Sequence, residues 1–441
     1  MGDKKLYDVV IVGGGVVGAA LLYTLSNYTD LKRIALVEKQ GSIASLNSDW
    51  TSNSQTLHFG DVETNYTEEK ALNTNEAAKL IPGYEKSAGL SGSGMIKRCQ
   101  KLLLAVGDEE IEYAERWYRS FAGRLYKGLK KIGIAEVKRI EPNLIKGRDS
   151  SERIAVYKSE TGYMVDYGRL AKSFVKNSKS TGKEIDMLLN TKICAFGEGG
   201  DGYVIKSADR AIRCRSVVFA TGAYGLYFAK SIGIAGDLSI IATGGGFFKS
   251  KKVLNGKVYR VQMGKMPFVA VHGDPDINDP SVTRFGPIIY LPLGIEKGEF
   301  QPLDYAKISG GIGLIPTSIK VLDKYNLYGI ISRHLSYSIP LLGKKLFLDN
   351  EAVKLVPSLK YSDISHAEGY GGISPRIVNR RSMTLNIGEE KIRKGNAIFN
   401  ISPSPGASNS LAIAESDAIY LSKRLGFKFN RDKFNRNLRP K

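Results

Sequence analysis

Four side chains in this sequence could move a proton near neutral pH: the histidines His58, His272, His334 and His366. Imidazole is the one side chain whose unperturbed pKa lies there. His334, in "SRHLSYS", falls in an amphipathic helical stretch and reads as a surface or packing residue. His366, in "ISHAEGYGG", precedes a strand and reads as a structural hydrogen-bonding group. His272, in "VHGDPD", reads on its own as a polar residue in a turn, and His58, in "NSQTLHFGDVETNYT", is left beside it as the other candidate. The three cysteines, Cys99, Cys194 and Cys214, form no close pair and no metal-ligand spacing, so a reducing compartment and no metal site are expected.

The elements that must position such groups begin at the N-terminus. Tyr7–Val12 is a β-branched run suited to a buried parallel strand. Gly13, Gly15 and Gly18 follow as G-x-G-x-x-G, then an apolar helix from Val16 to Leu25, a second strand over Arg33–Val37, and Glu38 at its end. This combination predicts a dinucleotide site. The first glycine allows the tight turn, the second lets a pyrophosphate approach the backbone, and the third permits close helix–strand packing. The helix N-terminus offers free N–H donors to phosphate, and Glu38 would accept hydrogen bonds from a ribose.

A later segment decides which dinucleotide. Lys192–Ala195, Tyr203–Ser207 and Ser216–Ala220 read as a short β-meander returning to the first sheet and ending in Thr221-Gly222-Ala223. A return strand this late in the chain suits FAD better than a nicotinamide cofactor. Near the C-terminus, strand Ala397–Ile401 enters Ser402–Ser408, and a helix is expected from about Asn409. Its N-terminus could stabilise negative charge on a reduced flavin. No histidine or cysteine context argues for covalent attachment, so non-covalent FAD is expected.

The blocks "IVGGGVVG", "SNSQTLHFGDVETNYTEEKA", "VAVHGDPD", "TRFGPIIYLP", "GYGGISPRIV" and "NISPSPGAS" occur in one order over nearly the whole chain. Together they resemble the FAD-dependent malate:quinone oxidoreductases, within the larger group of flavoproteins similar to D-amino-acid oxidase and L-2-hydroxyglutarate dehydrogenase. The resemblance implies oxidation of (S)-malate to oxaloacetate, a step of the tricarboxylic acid cycle, by hydride transfer to flavin N5, with electrons passed to a membrane quinone. Such a reaction needs cations for two carboxylates and a base for the hydroxyl. The motif positions single out Arg284 and Arg376 as the cations, because a guanidinium grips a carboxylate through two parallel donors. They single out His272 as the base, shared with His58, which reads more readily as a flavin-side or substrate hydrogen-bonding residue. Asp274 or Asp276 could orient the imidazole, although the reading as turn residues beside proline is the stronger one for both. Gln55 could donate to a substrate carboxylate or to flavin, with Ser54 and Thr56 beside it. Val16, Lys39, Ile193, Thr221, Gly222, Arg376, Gly406, Ala407 and Ser408 complete the cofactor contacts that the resemblance implies.

The expected fold class is α/β (α+β overall): a Rossmann-type FAD-binding domain with a β-meander, plus a substrate domain built on an antiparallel sheet. The FAD-binding domain is expected to be discontinuous, over residues 1–68, 151–234 and 365–425. A mostly helical excursion (69–149) and the substrate domain (236–363) fall between, and residues 426–441 form a basic tail. Hydrophobic residues at 42% and charged residues at 24% are ordinary for a globular protein, which excludes global disorder. No signal peptide and no transmembrane run is read. The net charge of +20 favours anionic partners: nucleic acid, an acidic membrane surface or carboxylate substrates. The tail interleaves Phe427, Phe429 and Phe434 with basic residues, a combination suited to peripheral membrane binding. A solvated basic tail fits the same residues nearly as well, and peripheral attachment to the cytoplasmic face is expected from the membrane quinone that the resemblance implies. Two other readings share the same residues. One is another 2-hydroxy-acid or amino-acid dehydrogenase or oxidase on this fold, for example acting on L-2-hydroxyglutarate. The other is a basic flavoprotein that binds nucleic acid or a partner, with flavin in a structural role, although no nucleic-acid module is recognised.

Overall fold

The computed structural model describes residues 5–264, 270–386, 390–401 and 405–439. Two sheets carry the fold, and each is built from segments far apart in sequence.

The first sheet is ordered Glu390–Lys394, Ala397–Ile401, Ala211–Phe219, Leu6–Val12, Arg33–Val37, Glu184–Leu188, with the hairpin Ala195–Gly199/Gly202–Lys206 paired to Ala211–Phe219. Its five central strands, from Ala397–Ile401 to Glu184–Leu188, run parallel. Val9, Val10, Ile11, Ile34, Leu36, Val217 and Val218 are all fully buried, as strands covered on both faces require. The helix Val16–Tyr28 is apolar almost all round and buried along nearly its whole length. It lies between the sheet and two further helices, Tyr167–Lys179 and Ser410–Leu425. The meander begins later than expected: residues 192–194 line up without strand pairing, and the first meander strand is Ala195–Gly199.

The second sheet is ordered Thr384–Asn386, Gly372–Asn379, Leu238–Lys251, Val282–Tyr290, His272–Pro275, Lys257–Arg260, Lys101–Val106, Ile154–Ser159, Lys130–Ile132, with Ile364–His366 also on Leu238–Lys251. It is antiparallel apart from one pair, Lys257–Arg260 with Lys101–Val106. Its outer face is a hydrophobic core that includes Leu102, Leu104, Val156, Phe248, Val258 and Phe285.

These pairings move three expected boundaries. The expected FAD-binding domain includes residues 154–159 and 365–379, but both stretches lie in segments that pair into the second sheet. The 69–149 excursion is mostly helical, but it is not separate from the substrate domain, because its strands Lys101–Val106 and Lys130–Ile132 belong to that same sheet. Burial explains this: Leu102, Leu103 and Leu104 are fully buried, so the run needs cover on both faces. The C-terminal tail is not free either. Arg431–Leu438 is a helix packed on Leu80–Ser87, with Phe434 and Leu438 fully buried and Phe434 edge-on to Tyr28 at 5.2 Å. Arg439 and Arg431 pair with Glu415, at 2.6 and 3.5 Å. Phe427 and Phe429 pack against the same core.

Candidate active site

One cavity of about 440 Å³ runs between the carboxyl ends of the first sheet and the inner face of the second. The first sheet's share is made by backbone. Gly13 has φ +108°, and a side-chain carbon there would lie 2.4 Å from Ala220 O. One at Gly18 would lie 1.9 Å from Gly13 O, so Gly18 sits off the cavity and lets helix and turn close against each other. A carbon added at Gly15, on the cavity wall, would meet only Ser48 Oγ at 3.3 Å. That leaves the helix N-terminus open to a phosphate. Ser48 Oγ accepts from Val16 N at 2.9 Å. Glu38 accepts from Gly14 N and Gln40 N at 2.7 and 2.8 Å, one oxygen each, and keeps spare lone pairs for a ribose. Lys39 pairs with Glu296 and lies over the Tyr224 ring.

Ile193, Thr221 and Gly222 continue this wall, and Ser54, Thr56, Gly406, Ala407 and Ser408 lie on the opposite stretch of it. Ser402, Pro403 and Ser404 of the expected C-terminal loop, and Val269 of the "VAVHGDPD" block, lie outside the described residues. Thr221 Oγ1, Ser374 Oγ and Asn400 Oδ1 are buried on the cavity wall with no hydrogen-bond partner among the described residues. An open helix N-terminus, an acid at the second strand end and orphaned polar atoms fit a bound dinucleotide.

The second sheet's share is made by side chains in register. Tyr259 pairs with His272, and His272 with Gly286, in one row beside the cavity. One step further along the strands is a fully buried charged row. Lys101 meets Asp61 at 2.5 Å, Lys257 meets Asp274 at 2.9 Å, and Asp274 pairs across the strands with Arg284. Period-two alternation puts both rows on the same face. Burial opposes the Asp274 charge, but Lys257, His272 and Arg284 outweigh it and hold the carboxyl well below its usual range.

Both candidate histidines line the cavity, and they differ in whether a carboxylate faces the second ring nitrogen. His272 Nδ1 is 3.1 Å from Ala270 O, its Nε2 is 3.0 Å from Asp274 Oδ2, and its ring stacks on Tyr259 at 4.6 Å. Both nitrogens therefore face acceptors; the Asp274 contact is an ion-pair distance whose angle is poor for a hydrogen bond. His58 is different. Its Nδ1 is 2.6 Å from Glu63 Oε1, and its Nε2 has no hydrogen-bond partner among the described residues. Burial opposes ionisation of Glu63, but the His58 hydrogen bond and charge, with Lys101, hold it down at about 2. An ionised Glu63 accepts from Nδ1–H, so in the neutral form of His58 the ring's lone pair is on Nε2. His58 N also donates to Ser408 Oγ at 3.0 Å, which ties this loop to the C-terminal helix.

Two expected substrate groups are not on the cavity wall. The Arg284 guanidinium is fully buried and donates to Asn53 O and Ser54 O at 3.1 and 3.2 Å, between the rings of Phe247 and Tyr370. Its fork holds the main chain that leads to His58. Gln55 takes φ +54°, which turns its amide away from the cavity. There it accepts from Ile277 N at 2.8 Å and donates to Trp50 O at 3.1 Å. Asp276 lies with Gln55 and Arg284 in this buried cluster rather than beside His272. Arg376 remains as the guanidinium on the described cavity wall, and burial pulls it down to about 10, still protonated at neutral pH. His334 is buried behind the second sheet, where its Nδ1 accepts from Ile289 N at 3.3 Å and burial lowers its pKa. His366 lies against Phe248 at 4.3 Å. The residues missed by sequence reasoning are Glu63, Ser48 and Tyr259. Glu63 lay inside a quoted block, five residues beyond His58, but no periodicity marks a pairing made by loop closure.

Fold and cavity are those of an FAD-dependent oxidoreductase. The protein-family profile "DAO: FAD dependent oxidoreductase" matches residues 8–250. A "Probable malate:quinone oxidoreductase" of Campylobacter jejuni is 36% identical over 449 residues, covering 99% of this chain and 100% of that protein. The "Malate:quinone oxidoreductase" of Helicobacter pylori is 33% identical, covering 98% of each. Human mitochondrial L-2-hydroxyglutarate dehydrogenase is 26% identical over 92% of this chain and 87% of its own length. Among solved structures, L-α-glycerophosphate oxidase from Mycoplasma pneumoniae with FAD bound superposes with a TM-score of 0.65 at 18% identity, covering 96% of both chains. The chain belongs to the FAD-dependent oxidoreductase family and, within it, to the malate:quinone oxidoreductases. Its cofactor is FAD.

Proposed function

We propose that this enzyme oxidises (S)-malate to oxaloacetate and passes the electrons to a membrane quinone. FAD, when bound, supplies N5 as the hydride acceptor. His58 Nε2 takes the proton from the substrate hydroxyl while Glu63, at 2.6 Å, holds the ring by Nδ1 and balances the imidazolium that forms. Arg376 grips one substrate carboxylate, and its burial strengthens that grip by excluding water. His272, fixed between Ala270 O and Asp274, shapes the wall and orients substrate rather than accepting the proton.

The observation that carries this reading is the His58–Glu63 pair on the same cavity as a single wall-lining guanidinium and the dinucleotide cradle. The test is anaerobic mixing of the FAD-loaded protein with one acid at a time, following loss of the flavin's visible absorbance. Malate is expected to bleach the flavin rapidly and L-2-hydroxyglutarate slowly. The reverse order would make the enzyme a 2-hydroxyglutarate dehydrogenase, the reading that the human relative supports. Bleaching by no hydroxy or amino acid would favour a structural flavin.

A further inference from the structure

Most of the exposed large apolar side chains among the described residues fall in one stretch, 291–342. Phe300, Leu303 and Leu341 are 74%, 77% and 93% exposed. The helix Leu314–Tyr325 buries Leu314, Thr317 and Val321 and turns Ile315 and Ile319 outward, so it is apolar on the face that water should wet. Leu341 takes φ +64°, a left-handed conformation that leucine disfavours and that glycine or asparagine adopts at little cost. Neither burial nor backbone preference explains a leucine there. A patch of this kind marks a surface built to be covered.

The charge around the patch identifies its cover. Lys320, Lys324 and Arg333 are exposed within it, Lys307 and Lys345 are paired with Asp304 and Asp349, and Glu299 and Asp323 are also exposed, so basic groups outnumber acidic ones there on a chain of net charge +20. A second copy would bring two cationic faces together, whereas anionic lipid headgroups complement them. The patch also adjoins the active cavity. Pro287, Ile289 and Ile295 line that cavity immediately before and within the stretch. The helices Pro302–Ser309 and Tyr328–Ser336 pack on the strands Leu238–Lys251 and Val282–Tyr290, which supply the second sheet's cavity wall. No helix among the described residues is long and apolar enough to cross a membrane. The aromatic residues of the C-terminal tail are packed inward, so the tail lacks the apolar surface expected of it.

We propose that residues 291–342 form the face by which the protein docks on an anionic lipid bilayer, with exposed Phe, Leu and Ile in the headgroup layer and the surrounding lysines against its phosphates. Resting on the quinone reading above, this face puts the cavity beside the phase in which a lipophilic acceptor dissolves.

The test is co-sedimentation of the FAD-loaded, full-length protein with phosphatidylcholine vesicles, with and without phosphatidylglycerol. Wild type is expected to sediment with the anionic vesicles and far less with the zwitterionic ones. The variant Phe300→Ser/Leu303→Ser/Leu341→Gly/Leu342→Ser is expected to lose at least about tenfold in partitioning. Its melting temperature and its flavin bleaching by malate in vesicle-free buffer should match wild type. A tail variant, Arg431→Gln/Lys433→Gln/Arg436→Gln, should keep most of the binding. Absence of wild-type binding, equal binding by the patch variant, or loss only in the tail variant would each overturn the proposal. So would a patch variant that changes oligomer size without changing vesicle binding, because a second copy would then be the cover. Vesicle binding needs no substrate, so intact binding with no bleaching by malate would defeat the functional reading alone.

Discussion

The two sheets share one cavity but build their parts of it from different material. The first contributes main chain: an open helix N-terminus, a left-handed glycine and two contacts too close for any side chain. The second contributes side chains placed by strand register: Tyr259 beside His272, and a buried row through Lys257, Asp274 and Arg284. A backbone-built site is encoded within some thirty consecutive residues, because the turn, helix and returning strand are local. A side-chain-built site depends on which strands become neighbours, and here Lys101, Lys257 and Arg284 come from three distant segments.

If this contrast holds, damage to the first sheet should remove the cofactor, and damage to the second should spare it. Gly18→Ala gives the largest effect. Its methyl group would collide with Gly13 O, and the protein is expected to purify without flavin absorbance. Arg376→Lys should retain FAD but raise the malate KM about a hundredfold, since a bidentate, charge-assisted pair becomes a single contact. Wild-type malate affinity should also fall as the pH rises through about 10, where the buried guanidinium loses its proton. Titration of affinity with pH checks this. Glu63→Gln should slow flavin reduction about tenfold while leaving the malate KM nearly unchanged, because the ring loses the carboxylate that holds Nδ1–H and balances the imidazolium. A purely structural Glu63 would lower stability without slowing reduction. Arg284→Lys has the smallest catalytic effect. It should change malate kinetics less than about threefold while costing about 1–3 kcal/mol of stability, read from denaturant unfolding, since two buried main-chain carbonyls lose their donors. A large KM effect at unchanged stability would return Arg284 to the substrate.

The same contrast explains what the sequence revealed. The strand Leu6–Val12, the tight turn at the three glycines and the place of Glu38 at a strand end were legible because local geometry fixes them. Arg284 and Gln55 were legible as unusual residues in specific blocks, but not for their direction. Arg284 points into a strand-packed interior, and Gln55 turns on a left-handed backbone angle that no local pattern announces. The His58–Glu63 contact closes within an irregular loop, where neither helical nor strand spacing applies. The packing of the C-terminal tail was not legible for a related reason. Basic residues alternating with phenylalanine suit a membrane surface, but they also suit a short helix with one buried side, as Phe434 and Leu438 demonstrate.

The central claim is that His58, not His272, accepts the substrate's hydroxyl proton. It is tested most directly by single-turnover flavin reduction with malate, measured anaerobically on FAD-loaded His58→Ala and His272→Ala side by side. His58→Ala is expected to slow reduction about a thousandfold, and His272→Ala about tenfold or less. A thousandfold loss in His272→Ala with near-normal reduction in His58→Ala would contradict the account.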